Sequence, residues 1–178
     1  MRLYSTILLT AILCVAGCAS IPLSTMMSMS SMSPRSLAQV DPAQVRVRLS
    51  VPKGFEVDVP ASHLTFSLEN PSVARSSQLD LRALSVAKDV RPGGFLAPDL
   101  PVTTYLLTLT PEGQAELRSL QQVLLGMEHG TFQFGFKTDF AKRPPGARQI
   151  VFWVDLKLSD SEPFMPLLDR AEVEFEGA

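Results

Sequence analysis

Thiols are nearly absent from this chain. There are two cysteines among 178 residues, Cys14 and Cys18. Nothing after Cys18 can form a disulfide, a thiolate nucleophile or a cysteine-based zinc site. Histidine is as scarce: His63 and His129 stand alone, without the spacing of a metal motif, and are expected on a surface strand and in a turn. No charge excess is available either. Sixteen Lys and Arg face 18 Asp and Glu, a net charge of -2, which excludes a general nucleic-acid binder. The longest apolar stretch, Leu3 to Val15, falls short of the ~18–20 residues of a spanning helix. HExxH, CxxC, Walker, GxGxxG and GxSxG patterns are all missing, so no motif announces catalysis.

The first residues nevertheless have an order of their own. Met1-Arg2 is a basic start; Ile7, Leu8, Leu9, Ala11, Ile12, Leu13, Cys14 and Val15 make an apolar middle; Ala16-Gly17 is a small-residue end. That is the layout of an export signal, here residues 1–17. Val15-Ala16-Gly17-Cys18 resembles the lipobox of bacterial lipoproteins, with the basic and apolar regions where that family has them. The resemblance covers about twenty residues. It implies cleavage before Cys18, a diacylglyceryl group on its sulfur and a further acyl chain on its new amine. In that family Asp after the cysteine retains the protein in the inner membrane. Ala19 and Ser20 therefore imply a lipid-anchored protein on the periplasmic face of the outer membrane. Several chains hold a protein firmly where a single one, at ~0.8 kcal/mol per CH₂, is marginal. Loss of Arg2 with the leader leaves 15 basic and 18 acidic residues, a net charge of -3. With Cys18 carrying lipid, the fold must stand on its hydrophobic core.

Residues 18–40 read as the lipidated cysteine and a Ser/Met-rich tether. Ser24 to Pro34 is low in complexity, and no charge appears between Arg2 and Arg35. Such composition makes a flexible linker with a reach of ~25–30 Å. Within it, Met26, Met27, Met29 and Met32 are a candidate metal site, because thioethers are soft ligands that select Cu(I). The plainer reading is flexible apolar chain near lipid headgroups or in a partner's groove.

From residue 41 the pattern has period two, and residues 41–178 read as one domain. Val45, Val47, Leu49 and Val51 alternate with Gln44, Arg46, Arg48 and Ser50; Leu64, Phe66 and Leu68 alternate with His63, Thr65, Ser67 and Glu69. Each run predicts a half-buried strand. Further strands are expected over 78–86, 102–109, 131–137, 149–158 and 171–176. Thr110-Pro111-Glu112 carries the marks of a helix start: a capping hydroxyl, proline in the first turn and an early acid. Leu117, Leu120, Val123 and Leu124 then make an apolar stripe, and Gly126 closes the helix. The connections are too short for parallel crossovers. The expected fold is mainly β: a seven-stranded antiparallel β-sandwich, Ig-like or transthyretin-like, with one helix between the fourth and fifth strands.

Few side chains offer chemistry. Ser85-Val86-Ala87-Lys88 coincides with the SxxK of penicillin-binding enzymes, but Lys137-Thr138-Asp139 is not KTG and Ser159-Asp160-Ser161 comes in the wrong order. Lys137, Lys142, Arg143 and Arg148 surround a turn-rich connection and could meet an anionic partner. Asp160, Glu162, Asp169, Glu172, Glu174 and Glu176 cluster late; the last three alternate on one face and are expected beside Arg46 and Arg48, if first and last strands meet. Trp153 and Tyr105 are core or, if uncovered, interface residues. The layout resembles proteobacterial outer-membrane lipoproteins and, in architecture alone, the lipidated β-sandwich of type VI secretion membrane complexes. The expected function is a non-catalytic binding or scaffold module of the cell envelope, held to the membrane by lipid, with an envelope protein as partner. The alternative is a carrier of a small ligand or of Cu(I), using the methionines or an apolar pocket under the helix. No cofactor beyond the covalent lipid is expected.

Overall fold

The computed structural model describes residues 33–70, 73–93, 98–127 and 131–175. Cys18, the methionines at 26, 27, 29 and 32, His129 and Glu176 lie outside these residues. The described chain opens with a short helix α1 (Pro34–Ala38) and a 3₁₀ turn (Pro42–Gln44). Strands β1 (Arg46–Pro52), β2 (Glu56–Asn70), β3 (Val73–Arg91) and β4 (Leu100–Leu109) lead to helix α2 (Pro111–Leu125). Strands β5 (Thr131–Lys142), β6 (Gln149–Lys157) and β7 (Met165–Glu174) complete the fold. All pairings are antiparallel, in the order β5-β2-β3-β4-β1-β6-β7.

The strand count, the antiparallel pairing and the helix between β4 and β5 agree with the sequence reading. The division into two sheets does not. Hydrogen bonding runs unbroken through all seven strands, because β3 serves both halves: Val73–Asp80 pairs with β2 and Leu81–Arg91 with β4. The result is one sheet curled into a nearly closed barrel. Its two edges, β5 and β7, meet through side chains. Phe140 of β5 lies edge-on to Phe55 and Phe175, with centroids at 5.8 and 5.9 Å, and also touches Phe152 of β6. Aromatic pairs in such geometry contribute roughly 0.5–1.5 kcal/mol beyond their burial. The expected neighbourhood of the first and last strands is also overturned. β6 stands between them, and Arg48 finds Asp155 of β6, its Nε donating to Oδ2 at 2.9 Å, rather than the glutamates of β7.

The core follows from the alternation. Val47, Leu49 and Val51 of β1, Leu64, Phe66 and Leu68 of β2, Leu107 and Leu109 of β4 and Ile150, Phe152, Val154 and Leu156 of β6 are buried inside the curl. Each such side chain removed from water stabilises by ~1.5–3 kcal/mol. Helix α2 covers the inner face of the first half of β3 and sends Leu117, Leu120 and Leu124 into the same core. Its caps are as the sequence indicates: the Thr110 side chain accepts from the Gly113 N–H, and Gly126 ends the helix. Gln121 fastens α1 to it, donating from Nε2 to the carbonyls of Leu37 and Val40 at 3.2 and 2.7 Å.

Polar contacts join α2 to β3, and Glu116 is at their centre. Glu116 accepts from the Ser77 hydroxyl at 2.6 Å and from Arg75 Nη2 at 3.0 Å. The Ser77 hydrogen bond, opposed by partial burial and supported by Arg75, holds its carboxyl below the ordinary 4.5. A carboxylate with a lowered folded pKa stabilises above its unfolded pKa, and the contribution is lost as pH falls through the folded value. Thermal melts of wild type and Glu116→Gln between pH 6 and 3 should therefore converge below about pH 4.5. A wild-type advantage that stays constant down to pH 3 would contradict the assignment.

Candidate functional site

The four basic residues singled out in the sequence do not converge. Lys142 donates to Glu56 at 3.2 Å. The Arg143 guanidinium lies 4.1 Å from the Phe175 ring centroid, and the Phe175 N–H donates to the Arg148 carbonyl at 2.8 Å. The connection between β5 and β6 is thus folded down over the aromatic seam, with two of its cations engaged within the molecule. Lys137 sits apart, opposite His63 of β2. His63 shares a hydrogen bond through Nδ1 with Asp80 Oδ1 at 2.9 Å. Among the described residues no group of three or more His, Cys, Asp or Glu is arranged to hold a metal ion.

Ser85 and Lys88 fall on opposite faces of β3, across from Leu106 and Thr103, so they cannot act on one substrate atom as nucleophile and base. Tyr105 and Trp153 are covered. Tyr105 points into the barrel, where its hydroxyl accepts from the Val57 N–H at 3.2 Å. Trp153 lies on the outer face beneath the Arg91 guanidinium, 4.7 Å from its ring centroid. The space under α2 is filled by its leucines. A groove of about 400 Å³ opens instead beside the helix end, lined by Ser33, Pro34, Arg35, Leu124, Leu125 and Met127, where the described chain begins.

The features that sequence reasoning missed are the extension of β3 past Val86 and the free edge of its second half. Past Asp80, β2 turns away. Its pairing with β3 ends at His63–Asp80, and four residues, 59–62, bulge out of its pairing with β5. Among the described residues the edge of β3 from Leu81 to Arg91 has no strand partner, while the opposite edge is zipped to β4. Arg82 to Val90 are exposed without exception, whichever face they occupy. Leu84, Val86 and Val90 are 44%, 54% and 53% exposed, a concentration of apolar surface. Yet the segment is held in place. Ten residue pairs bind it to β4, and Arg91 pins its end over Trp153. An exposed, ordered edge presents a row of unpaired N–H and C=O groups, the template for adding another strand.

Its position on the molecule is fixed by α2. The helix starts where the Thr110 N–H meets the Asp80 carbonyl and runs back along β3 past Ser77 and Arg75. Its far end carries α1, so Ser33 lies toward the beginning of β3. The free edge lies on the other side of Asp80. No protein-family model, no curated protein and no solved structure matches this chain.

Proposed function

We propose that this is a membrane-anchored, non-catalytic binding module of the cell envelope, which takes its partner along the free edge of β3. The lipobox-like Val15-Ala16-Gly17-Cys18 supports the anchor and the periplasmic side of the outer membrane as its place. One observation carries the binding role: a long strand segment ordered by β4 on one side, unpaired on the other, and bearing Leu84, Val86 and Val90 exposed. An edge of this kind invites aggregation unless it is covered. Main-chain hydrogen bonds would supply affinity and the alternating side chains selectivity.

The test is in intact cells. A photo-crosslinking residue at Leu84 or Ala87 of the full chain should give discrete adducts, of any identity, that the same residue at the exposed Glu172 of β7 does not give. Equal labelling at both places would remove the reading.

A further inference from the structure

The pattern of β3 itself points to the occupant. Leu84 is the extra residue of a bulge, since Ala83 faces Leu107 and Ser85 faces the next residue, Leu106. The bulge resets the alternation. Leu81, Ala83, Val86, Lys88 and Val90 share the inner face, opposite Leu109, Leu107, Tyr105, Thr103 and Pro101. Arg82, Ser85, Ala87, Asp89 and Arg91 share the outer face, opposite Thr108, Leu106, Thr104, Val102 and Leu100.

We propose that the free edge of β3 pairs with the same edge of a second copy of this chain, antiparallel, about a two-fold axis at Val86. This rests on the reading of that edge as the binding surface. A two-fold perpendicular to the sheet makes the interface self-complementary and keeps opposed residues on one face. With the axis at Val86, Val86 meets its own copy, Ser85 meets Ala87 and Leu81 meets Val90. Arg82 meets Asp89, and symmetry forms that ion pair twice. Opposite charges across a strand pair are favourable and like charges directly opposite are not.

The neighbouring registers lose this match. An axis at Ala87 sets Arg82 against Arg91; an axis at Lys88 sets that lysine against its own copy; an axis at Ser85 sets Leu81 against Lys88. The bulge and Lys88 hinder an arbitrary strand, which leaves the edge selective. The two-fold sends the two copies of Ser33 to opposite ends of the strand pair. Fifteen residues separate Cys18 from Ser33, up to ~50 Å when extended, so both copies can reach one membrane.

The lipidated chain offers no thiol after Cys18, so single cysteines read the register directly. Under mild oxidation of intact cells, Val86→Cys should yield disulfide-linked dimer at least tenfold more than Ser85→Cys or Ala87→Cys alone. Co-expression of those two should restore it. In the Val86→Cys background, Asp89→Arg should lower the yield at least fivefold, and Arg82→Asp with Asp89→Arg should bring it back. Equal crosslinking at 85, 86 and 87 would mean random collision and overturn the pairing. So would an Asp89→Arg chain that crosslinks like its parent. No dimer at Val86, together with photo-adducts to a different protein at Leu84 or Ala87, would overturn self-pairing and leave the edge as a binding surface. Neither dimer nor adduct would overturn both.

Discussion

Cys18→Ser is expected to abolish incorporation of labelled palmitate and to remove the protein from the outer-membrane fraction. The size of the effect follows from the anchor. Each buried methylene is worth ~0.8 kcal/mol, and one myristoyl-sized chain already binds a bilayer with an association constant of roughly 10⁴ M⁻¹. The modification implied at Cys18 adds three chains, so its loss changes partitioning by many orders of magnitude. Among the described residues no helix is long and apolar enough to cross a membrane. Palmitate labelling separates the lipid from every other cause of membrane association. A Cys18→Ser chain that still takes up label, or still fractionates with the outer membrane at the wild-type level, would dismiss the lipoprotein reading.

What the amino-acid order makes legible is whatever is decided locally. The bounds of α2 could be read because its caps are local: Thr110 accepts from Gly113, Pro111 opens the first turn and Gly126 closes the last. β1 and β6 could be read because one face of each is uniformly apolar and buried, which leaves a period of two in Val47-Leu49-Val51 and in Ile150-Phe152-Val154-Leu156. The helix α1 has local start marks too, Ser33 as cap and Pro34 in the first turn, but it is five residues long with one buried leucine, and its seat is set by Gln121, more than eighty residues away. β7 begins at Met165 rather than Ala171. Bulges opposite Trp153 and between Val154 and Asp155 break its period, and Arg170 adopts a positive φ at the first of them.

The single sheet was hidden for a related reason. It depends on β3 continuing to Arg91, past the expected end at Val86, and Arg82 to Val90 are exposed on both faces, so no burial pattern marks how far the strand runs. Main-chain pairing to β4 alone holds them extended. The candidate site lies in that same stretch. Hydrophobic periodicity reports burial, and an edge left open for a partner is the part of a sheet where burial has not yet happened. The basic residues around the β5–β6 connection show the converse. Their charge is plain in the sequence, while the engagement of Lys142 with Glu56 and of Arg143 with Phe175 is set by tertiary packing.

Gly113 tests how firmly α2 is seated on the sheet, and local propensity and tertiary contact predict opposite signs there. Alanine is a better helix former than glycine by up to about 1 kcal/mol, so an isolated helix would gain from Gly113→Ala. In this fold a Cβ at Gly113 would stand 2.6 Å from the Asp80 carbonyl oxygen and 3.0 Å from the Asp80 nitrogen. Neither atom can give way. Asp80 is paired to His63 of β2, and its carbonyl already accepts the Thr110 N–H at 2.9 Å. The helix start would have to lift, weakening that bond and the cap on Thr110. Overpacking costs about 1–3 kcal/mol and a lost hydrogen bond about 0.5–1.5. Gly113→Ala should therefore lower the melting temperature by several degrees, at roughly 2–4 °C per kcal/mol for a domain of this size, and Gly113→Val by more. Gly126→Ala is the control. Its Cβ would meet only the Val123 carbonyl at 3.6 Å, an ordinary contact, so stability should hold or rise by about 0.4–1 kcal/mol. A Gly113→Ala protein that melts higher than wild type would show that α2 does not press on β3 at Asp80.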